Sequence, residues 1–100
     1  MSNGNPVIHQ ATRLKIMASL NALPSNAAIE FTRLKMIVET TDGNLGAHLE
    51  ALEKAGYVAT EKRFVNRKPQ TRAAITSSGK RAFAEHIAYL REIIEIGNVK

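Results

Sequence analysis

Apolar residues recur at intervals of three and four along most of the chain, which is the spacing of one face of a helix. The first such segment covers about residues 9–23, and Pro24 ends it. The second begins near Phe31 and ends near Glu39, because the two threonines that follow are better helix caps than helix formers. Residues 28–30 are compatible with a very short strand before this second helix.

A third helix is predicted over about residues 42–55, within the stretch TDGNLGAHLEALEKAGYV. Thr41 is a suitable N-cap, and Gly56 can end the helix in the left-handed conformation. Three leucines recur at helical spacing and are expected to be buried: Leu45, Leu49 and Leu52. Because only a few residues separate this helix from the second, the pair has the layout of a helix-turn-helix.

The pattern then changes from helical to extended. Residues 57–65 and 70–76 are rich in β-branched and aromatic side chains, and the four residues NRKP between them predict a turn. The region at about residues 57–76 is therefore predicted to be a two-stranded hairpin, which we call the wing.

The last helix is predicted over about residues 77–96, with Thr76 or Ser77 as its cap and Gly97 at its end. Four apolar residues step along it at intervals of four, three and four: Phe83, Ile87, Leu90 and Ile94. Such a narrow seam is typical of a coiled-coil contact rather than of a broad core-facing surface. We therefore expect this stripe to form a dimer interface.

These elements give a mainly α protein with a small β-hairpin, in the order α-α-α-β-β-α. A helix-turn-helix followed by a basic hairpin is a winged helix-turn-helix. With 100 residues the chain is long enough for one domain and too short for two, so a single domain is expected over residues 1–100.

Composition narrows the class of protein. Apolar residues make up 44% of the chain, which indicates a folded globule, and there is no cysteine to form disulfides, thiolate metal sites or nucleophiles. The first residues, MSNGNPV, do not have the form of a signal peptide, and no apolar run approaches the ~20 residues that span a bilayer. A cytoplasmic protein without membrane contacts is expected.

Positive charge is concentrated in the wing. The net charge of the chain is +5, and residues 57–76 contain one acid, Glu61, against five basic residues: Lys62, Arg63, Arg67, Lys68 and Arg72. This cluster suits a polyanion, with nucleic acid the first candidate and an anionic membrane surface the second. Membrane binding is disfavoured because the cations lie on a hairpin and not on an amphipathic helix with aromatic anchors. A hairpin that is basic only for solubility is the alternative.

The third helix has the residue types of a DNA-reading helix. Four small or polar residues form its outward side, with Gly46 and His48 on the flanks: Gly43, Asn44, Ala47 and Ala51. A helix in the major groove presents its N-terminal residues to the bases, where Asn44 can bind adenine and His48 a base or a phosphate. At the wing tip, Arg67 and Lys68 can follow the phosphate backbone or enter the minor groove. Glycines scattered by chance on a solvated helix are the alternative.

Four segments together resemble the compact winged-helix transcriptional regulators related to the MarR and ArsR families: RLKIMASL, FTRLK, TDGNLGAHLEALEKAGYV and FVNRKPQTRAAITSSGKRAF. The resemblance implies a homodimer, built by the terminal helices at about 9–23 and 77–96, that binds a roughly palindromic operator in double-stranded DNA. The residues it implies for base contacts are Thr41, Asp42, Asn44 and His48. The wing residues it implies for phosphate contacts are Arg63, Asn66, Arg67 and Lys68.

Two departures from these families matter. The metal-sensing branch of the ArsR family uses cysteines, and this chain has none. His9, Glu85 and His86 could hold a metal at a dimer edge, but we interpret them as ordinary helix-surface residues and predict no metal and no cofactor. The turn before the third helix reads MIVETT, without the usual helix-ending glycine, so a slightly different turn is expected. No residue identifies an effector ligand.

Two other functions fit the sequence less well than DNA binding. A protein-interaction module, with the basic wing on an acidic protein partner, should expose large apolar residues on the third helix, and this helix has small ones instead. An enzyme is not expected, because Ser77 and Ser78 have no evident base partner and no phosphate-binding loop or metal-ligand spacing occurs.

Overall fold

The computed structural model describes residues 4–98, which form four helices and a three-stranded antiparallel sheet. In chain order the elements are α1 (Ala11–Asn21), β1 (Ile29–Glu30), α2 (Phe31–Val38), α3 (Asp42–Lys54), β2 (Val58–Val65), β3 (Lys68–Ile75) and α4 (Ser77–Ile96). The predicted winged helix is confirmed, including the very short strand before the second helix. The domain predicted over residues 1–100 includes residues 1–3 and 99–100, which lie outside the described residues.

Threonine side chains fix where α3 and α4 begin. Thr41 Oγ1 accepts a hydrogen bond from the backbone N–H of Asn44 at 3.2 Å, as expected of an N-cap. At α4 the cap is Thr76 and not Ser77, because Thr76 Oγ1 accepts the backbone N–H of Gly79 at 2.9 Å. Each cap satisfies one of the N–H groups that a helix start leaves without a partner.

The first helix is shorter than the predicted residues 9–23. Gln10 caps it, because its side-chain oxygen accepts the backbone N–H of Arg13 at 2.9 Å. The helix ends before Leu23, whose N–H bonds to the carbonyl of Leu20 at 3.3 Å in a tighter turn.

The turn between α2 and α3 contains Glu39 where a glycine is common. Glu39 takes the left-handed conformation, with φ 55° and ψ 61°, which costs a non-glycine residue about 1–2 kcal/mol. Lys35 Nζ lies 2.7 Å from Asp42 Oδ1 and joins the two helices across this turn. Gly56 (φ 84°) follows α3 in the left-handed conformation, as predicted.

The wing is a tighter hairpin than the sequence suggested. Asn66 and Arg67 alone form its turn, with φ values of 52° and 65°, which is the geometry of a type I′ turn. The prediction of a four-residue turn is therefore wrong, since Lys68 and Pro69 belong to β3. β3 is the central strand, but β1 pairs with only two of its later residues, so Pro69 displaces no hydrogen bond to β1.

The core lies between the helices and one face of the sheet, and each of the seven elements contributes a buried apolar residue. Three leucines of α3 are at most 4% exposed, as predicted: Leu45, Leu49 and Leu52. The apolar side of α1 is also buried within the protomer, through Ile16, Met17 and Leu20. α1 and α3, the second helix of the helix-turn-helix, are therefore held by the same core.

Two stripes run along α4. The buried one consists of Gly79, Ala82 and His86 and faces the core of the protomer. The stripe predicted from the sequence lies beside it and becomes more exposed along the helix: Phe83 packs against the core, whereas Ile94 is 65% exposed. Beyond Phe83, the predicted seam is therefore distinct from the face that holds α4 to its own protomer.

His86 is fully buried, so its interpretation as an ordinary surface residue is wrong. Its Nδ1 accepts the backbone N–H of Asn5 at 3.0 Å, which ties the N-terminal segment to α4. Its Nε2 lies 3.3 Å from His9 Nδ1, and its ring stacks on Tyr89 with centroids 5.7 Å apart. A buried imidazole is tolerated when both ring nitrogens have partners. His9 and Glu85 are exposed, as predicted.

Candidate nucleic-acid interface

The first turns of α3 present exposed small and polar residues. The exposed residues are Thr41, Asp42, Gly43, Asn44 and Ala47. A Cβ built on Gly43 or Gly46 would have no described atom outside the helix backbone within 4 Å. Packing inside the protomer therefore requires neither glycine, and the bare backbone leaves space for a partner.

Two predicted DNA contacts already take part in bonds within the protomer. Thr41 accepts the Asn44 N–H, so its hydroxyl hydrogen is the group that can still be donated to a phosphate. The Asp42 carboxylate pairs with Lys35 and sits at the positive end of the helix dipole, both of which stabilise α3. Lys35 therefore brings a positive charge to the start of α3.

His48 is half-buried and is held by α1. Its Nδ1 accepts a hydrogen bond from Arg13 Nε at 3.1 Å, and Arg13 Nη1 donates to the carbonyl of Val7 at 3.3 Å. Burial, and then the positive charge of Arg13, lower the pKa of His48. We infer that neutral His48 carries its proton on Nε2, which makes Nε2–H the donor for an outside acceptor.

The base of the wing is fixed to α3. Glu53 accepts two hydrogen bonds from Thr60, one from its backbone N–H at 3.3 Å and one from its hydroxyl at 2.9 Å. At the far end, the four predicted wing contacts are all exposed: Arg63, Asn66, Arg67 and Lys68. The hairpin thus holds a cluster of cations away from the core but in a fixed relation to α3.

The two faces of the wing carry different cations, because side chains alternate along a strand. Lys62 shares a face with the buried Val58, which is the face turned toward the helices. Arg63 and Lys68 lie on the opposite face. Two of the predicted wing contacts, Asn66 and Arg67, lie in the turn between the strands and belong to neither face, and Arg67 is the cation of the two.

Neither a metal site nor a membrane span appears in the described residues. Within residues 4–98, no three His, Cys, Asp or Glu side chains are grouped as metal ligands would be. His86 is in addition a poor ligand: its Nδ1 accepts an N–H bond, so Nε2 must carry the proton that a metal would displace. No helix of this part of the chain is long and apolar enough to cross a membrane.

A helix-turn-helix with a basic hairpin defines the class of winged-helix proteins. Residues 12–94 match the model of the winged helix DNA-binding domain family, and the chain belongs to that family. A protein of Methanocaldococcus jannaschii is 36% identical over 90 residues, which is 90% of this chain and 91% of the relative.

Solved structures of transcriptional regulators share the fold. A transcriptional regulator homologue from Pyrococcus horikoshii is 27% identical, with a TM-score of 0.82 over 93% of this chain and 89% of its own. A homodimeric winged helix-turn-helix DNA-binding domain from Mycobacterium bovis, described as a possible ArsR-family regulator, is 20% identical, with a TM-score of 0.66 over 89% and 76%. A MarR-family regulator from Silicibacter pomeroyi is 18% identical, with a TM-score of 0.60 over 83% and 55%. The predicted resemblance to these families is confirmed.

Lys35 and Arg13 were not predicted to belong to this surface, and Lys62 was predicted only as a member of the basic cluster. Lys35 and Arg13 are cations from α2 and α1, and their contacts with α3 depend on tertiary packing that local patterns do not report. The face of the wing on which Lys62 lies could have been predicted from the sequence. Lys62 comes four residues after the buried Val58, and an even spacing in a strand places both side chains on one face.

Proposed function

We propose that the chain is a cytoplasmic, homodimeric transcriptional regulator that binds double-stranded DNA in a sequence-specific manner. α3 lies in the major groove, and the wing contacts the phosphate backbone or the minor groove. One observation carries the proposal: Gly43 and Gly46 are bare backbone at the start of α3, with no role in packing, beside a cationic hairpin. A helix that must approach base edges closely has a use for such residues.

Base reading by α3 rests on a few side chains. Asn44 is exposed and can make paired hydrogen bonds to adenine, whereas Ala47 offers a methyl group for contact with thymine. His48 contributes Nε2–H as a donor, in the orientation that Arg13 gives it. Thr41 and the N–H groups of the first turn serve a phosphate, which sets the register of the helix on DNA.

The wing supplies affinity more than sequence reading. Arg67 projects from a type I′ turn, and Arg63 and Lys68 from the strand ends beside it. Neutralised phosphates release counterions, so each such contact raises affinity and makes binding more sensitive to salt. A narrow A·T-rich minor groove would attract the Arg67 guanidinium in addition.

Dimerisation is proposed through α4. Its predicted stripe is distinct from the buried one, and Ile93, Ile94 and Ile96 near its C-terminal end are 45%, 65% and 66% exposed. α1 uses its apolar side in the core of the protomer, so of the two terminal helices α4 supplies most of the interface. A two-fold dimer binds two inverted half-sites, which is why the operator is expected to be roughly palindromic.

Selection from randomised duplexes at physiological salt tests the proposed function. We expect retention of a pair of inverted half-sites about one helical turn apart, ~34–36 Å centre to centre. The variant Asn44→Ala should keep general retention and lose preference at one position of each half-site, whereas Lys15→Ala on α1 should behave as the wild type. Retention without any motif would contradict sequence-specific reading. Complete absence of retention would instead favour a module that binds an acidic protein partner.

The dimer is tested by Ile94→Glu, with Ser78→Glu as the matched control outside the stripe. Ile94 is largely exposed in the protomer, so the charge should disturb the interface and not the fold. We expect monomers for Ile94→Glu and dimers for the control in sedimentation velocity. A dimer in both would show that α4 is not the interface.

A further inference from the structure

Phe64 is the most exposed large apolar residue of residues 4–98, at 79%. It lies near the tip of the wing, one residue before the end of β2. The other two phenylalanines of the chain, Phe31 and Phe83, both pack against the core. No contact inside the protomer accounts for an aromatic ring at this position, since Phe64 does not belong to the core cluster or to the residues packed on it.

The register of the hairpin shows which way Phe64 faces. It pairs with Pro69 across the two strands, so the two apolar side chains share a face. The same face carries Val58 at the base of the wing, where it is buried against the helices. Phe64 lies four residues beyond Thr60, the residue bound to Glu53 of α3, which is about 13 Å along a strand. A duplex on α3 that also touches the wing meets this face.

The surroundings of Phe64 are cationic and rigid. Lys62 lies on the same face of the wing and Arg67 in the turn beyond it, whereas Arg63 and Lys68 lie on the opposite face. The two-residue turn and the fixed φ of Pro69 limit how the tip can move. An apolar ring set among cations suits a partner that offers phosphates beside apolar surface, which is what sugars and base steps offer in a DNA groove.

We propose that Phe64 is an apolar wing contact that lies against sugars or a base step in the minor groove, while the neighbouring cations bind the flanking phosphates. This inference rests on the proposed DNA binding and adds a specificity-determining residue to it. Pyrimidine–purine steps such as TA and CA unstack most easily, so the site under each wing should favour such a step. The preference would arise without any hydrogen bond to a base.

A salt titration separates this contact from the phosphate contacts. Phe64→Ala should weaken binding about tenfold at every salt concentration and leave the dependence of log affinity on log salt unchanged, because an apolar contact releases no counterion. Phe64→Leu should retain most of the affinity. Arg67→Ala is the matched comparison, because it should alter the salt dependence. Sedimentation of Phe64→Ala should match the wild type.

A second measurement uses the absence of tryptophan from the chain. Phe64→Trp introduces a single indole, and its emission should shift or be quenched when a duplex selected by the wild type is added, but not with an unrelated acidic polymer such as polyglutamate. Wild-type failure to bind DNA would overturn the proposed function itself. Wild-type binding combined with unchanged affinity of Phe64→Ala and unchanged emission of Phe64→Trp would overturn only the role of Phe64. A change in sedimentation for Phe64→Ala would also overturn it and assign the ring to a protein interface.

Discussion

Two helix starts in this protein look alike in sequence and differ in their surroundings. α3 and α4 both begin after a threonine cap, and both have a glycine in the first turn, Gly43 and Gly79. A Cβ on Gly79 would overlap the carbonyl oxygen of Tyr57 and lie 2.9 Å from Ile75 Cγ1, whereas a Cβ on Gly43 would meet open space. The fold therefore requires the glycine at position 79, whereas nothing in the fold requires the glycine at position 43.

The closed region at the start of α4 is held by several bonds. The Tyr57 carbonyl accepts the backbone N–H of Thr76 at 3.0 Å, and the Thr76 hydroxyl donates to the carbonyl of Gly56 at 2.6 Å. Backbone this well bonded cannot move to make room for a side chain. At the open start of α3, by contrast, a side chain costs the fold nothing, so a glycine there is explained by a partner or by chance. Four substitutions test this contrast.

Gly79→Ala should have the largest effect. The added methyl group is forced against backbone, and overpacking of this kind costs about 1–3 kcal/mol or more. For a domain of this size, each kcal/mol lowers the melting temperature by roughly 4–8 °C. Thermal unfolding followed by circular dichroism measures the loss, and Gly46→Ala on α3 is the matched control. Equal melting temperatures for the two variants would contradict the close packing at Gly79.

Gly43→Ala should separate stability from binding. Alanine is the better helix former, so the free energy of unfolding should rise by up to about 1 kcal/mol. Affinity for the selected duplex should fall, because the methyl group occupies the space that the duplex needs. Denaturant unfolding and a binding titration are run on the same preparation. Unchanged affinity would mean that this glycine is there by chance.

Arg67→Ala tests the exposed tip of the wing, which lies beside the open start of α3 in the proposed interface. Loss of one phosphate contact should make the slope of log affinity against log salt shallower by about one unit, on specific and non-specific duplexes alike. Lys15→Ala removes an exposed cation of α1 and should leave the slope unchanged. If both variants keep the wild-type slope, the wing does not contact phosphate through Arg67.

The smallest effect is expected from His86, the buried histidine further along α4. Burial, and then the neighbouring His9, lower the pKa of His86. The unfolded chain therefore binds more protons than the folded one below the ordinary histidine pKa of about 6.5, so the free energy of unfolding should fall as pH drops from 7 toward 5. His86→Gln retains an acceptor for the Asn5 N–H and should show a weaker pH dependence in denaturant titrations. An identical pH dependence would exclude His86 as its source.

Much of the fold could be predicted because its signals are local. The start of α3 is indicated by Thr41 and its end by Gly56. Its buried side is indicated by the spacing of its leucines. All three signals lie within or next to the helix itself. The seam on α4 was also visible from its spacing, as was the type of residue at the wing tip.

The rest depends on which elements meet. The stripe Gly79, Ala82 and His86 has helical spacing too, but its small and polar members carry little hydrophobic signal, so its burial could not be predicted from apolarity. Pro69 indicated a turn, and only the limited reach of β1 allows it inside β3. For the site, the residue types were visible, whereas the support of His48 by Arg13 arises only when α1 packs on α3.

The bond between Asn5 and His86 also has a consequence for synthesis of the protein. The two residues are separated by 81 positions in the chain, so at about 5–20 residues per second the ribosome makes the second roughly 4–16 s after the first. During that interval the N-terminal segment has no α4 to bind, although α1, α2 and α3 can already pack. The bond between Asn5 and α4 therefore forms only after the last helix has been made, whereas the contacts of the N-terminal segment with Arg13 and Tyr57 do not depend on that helix.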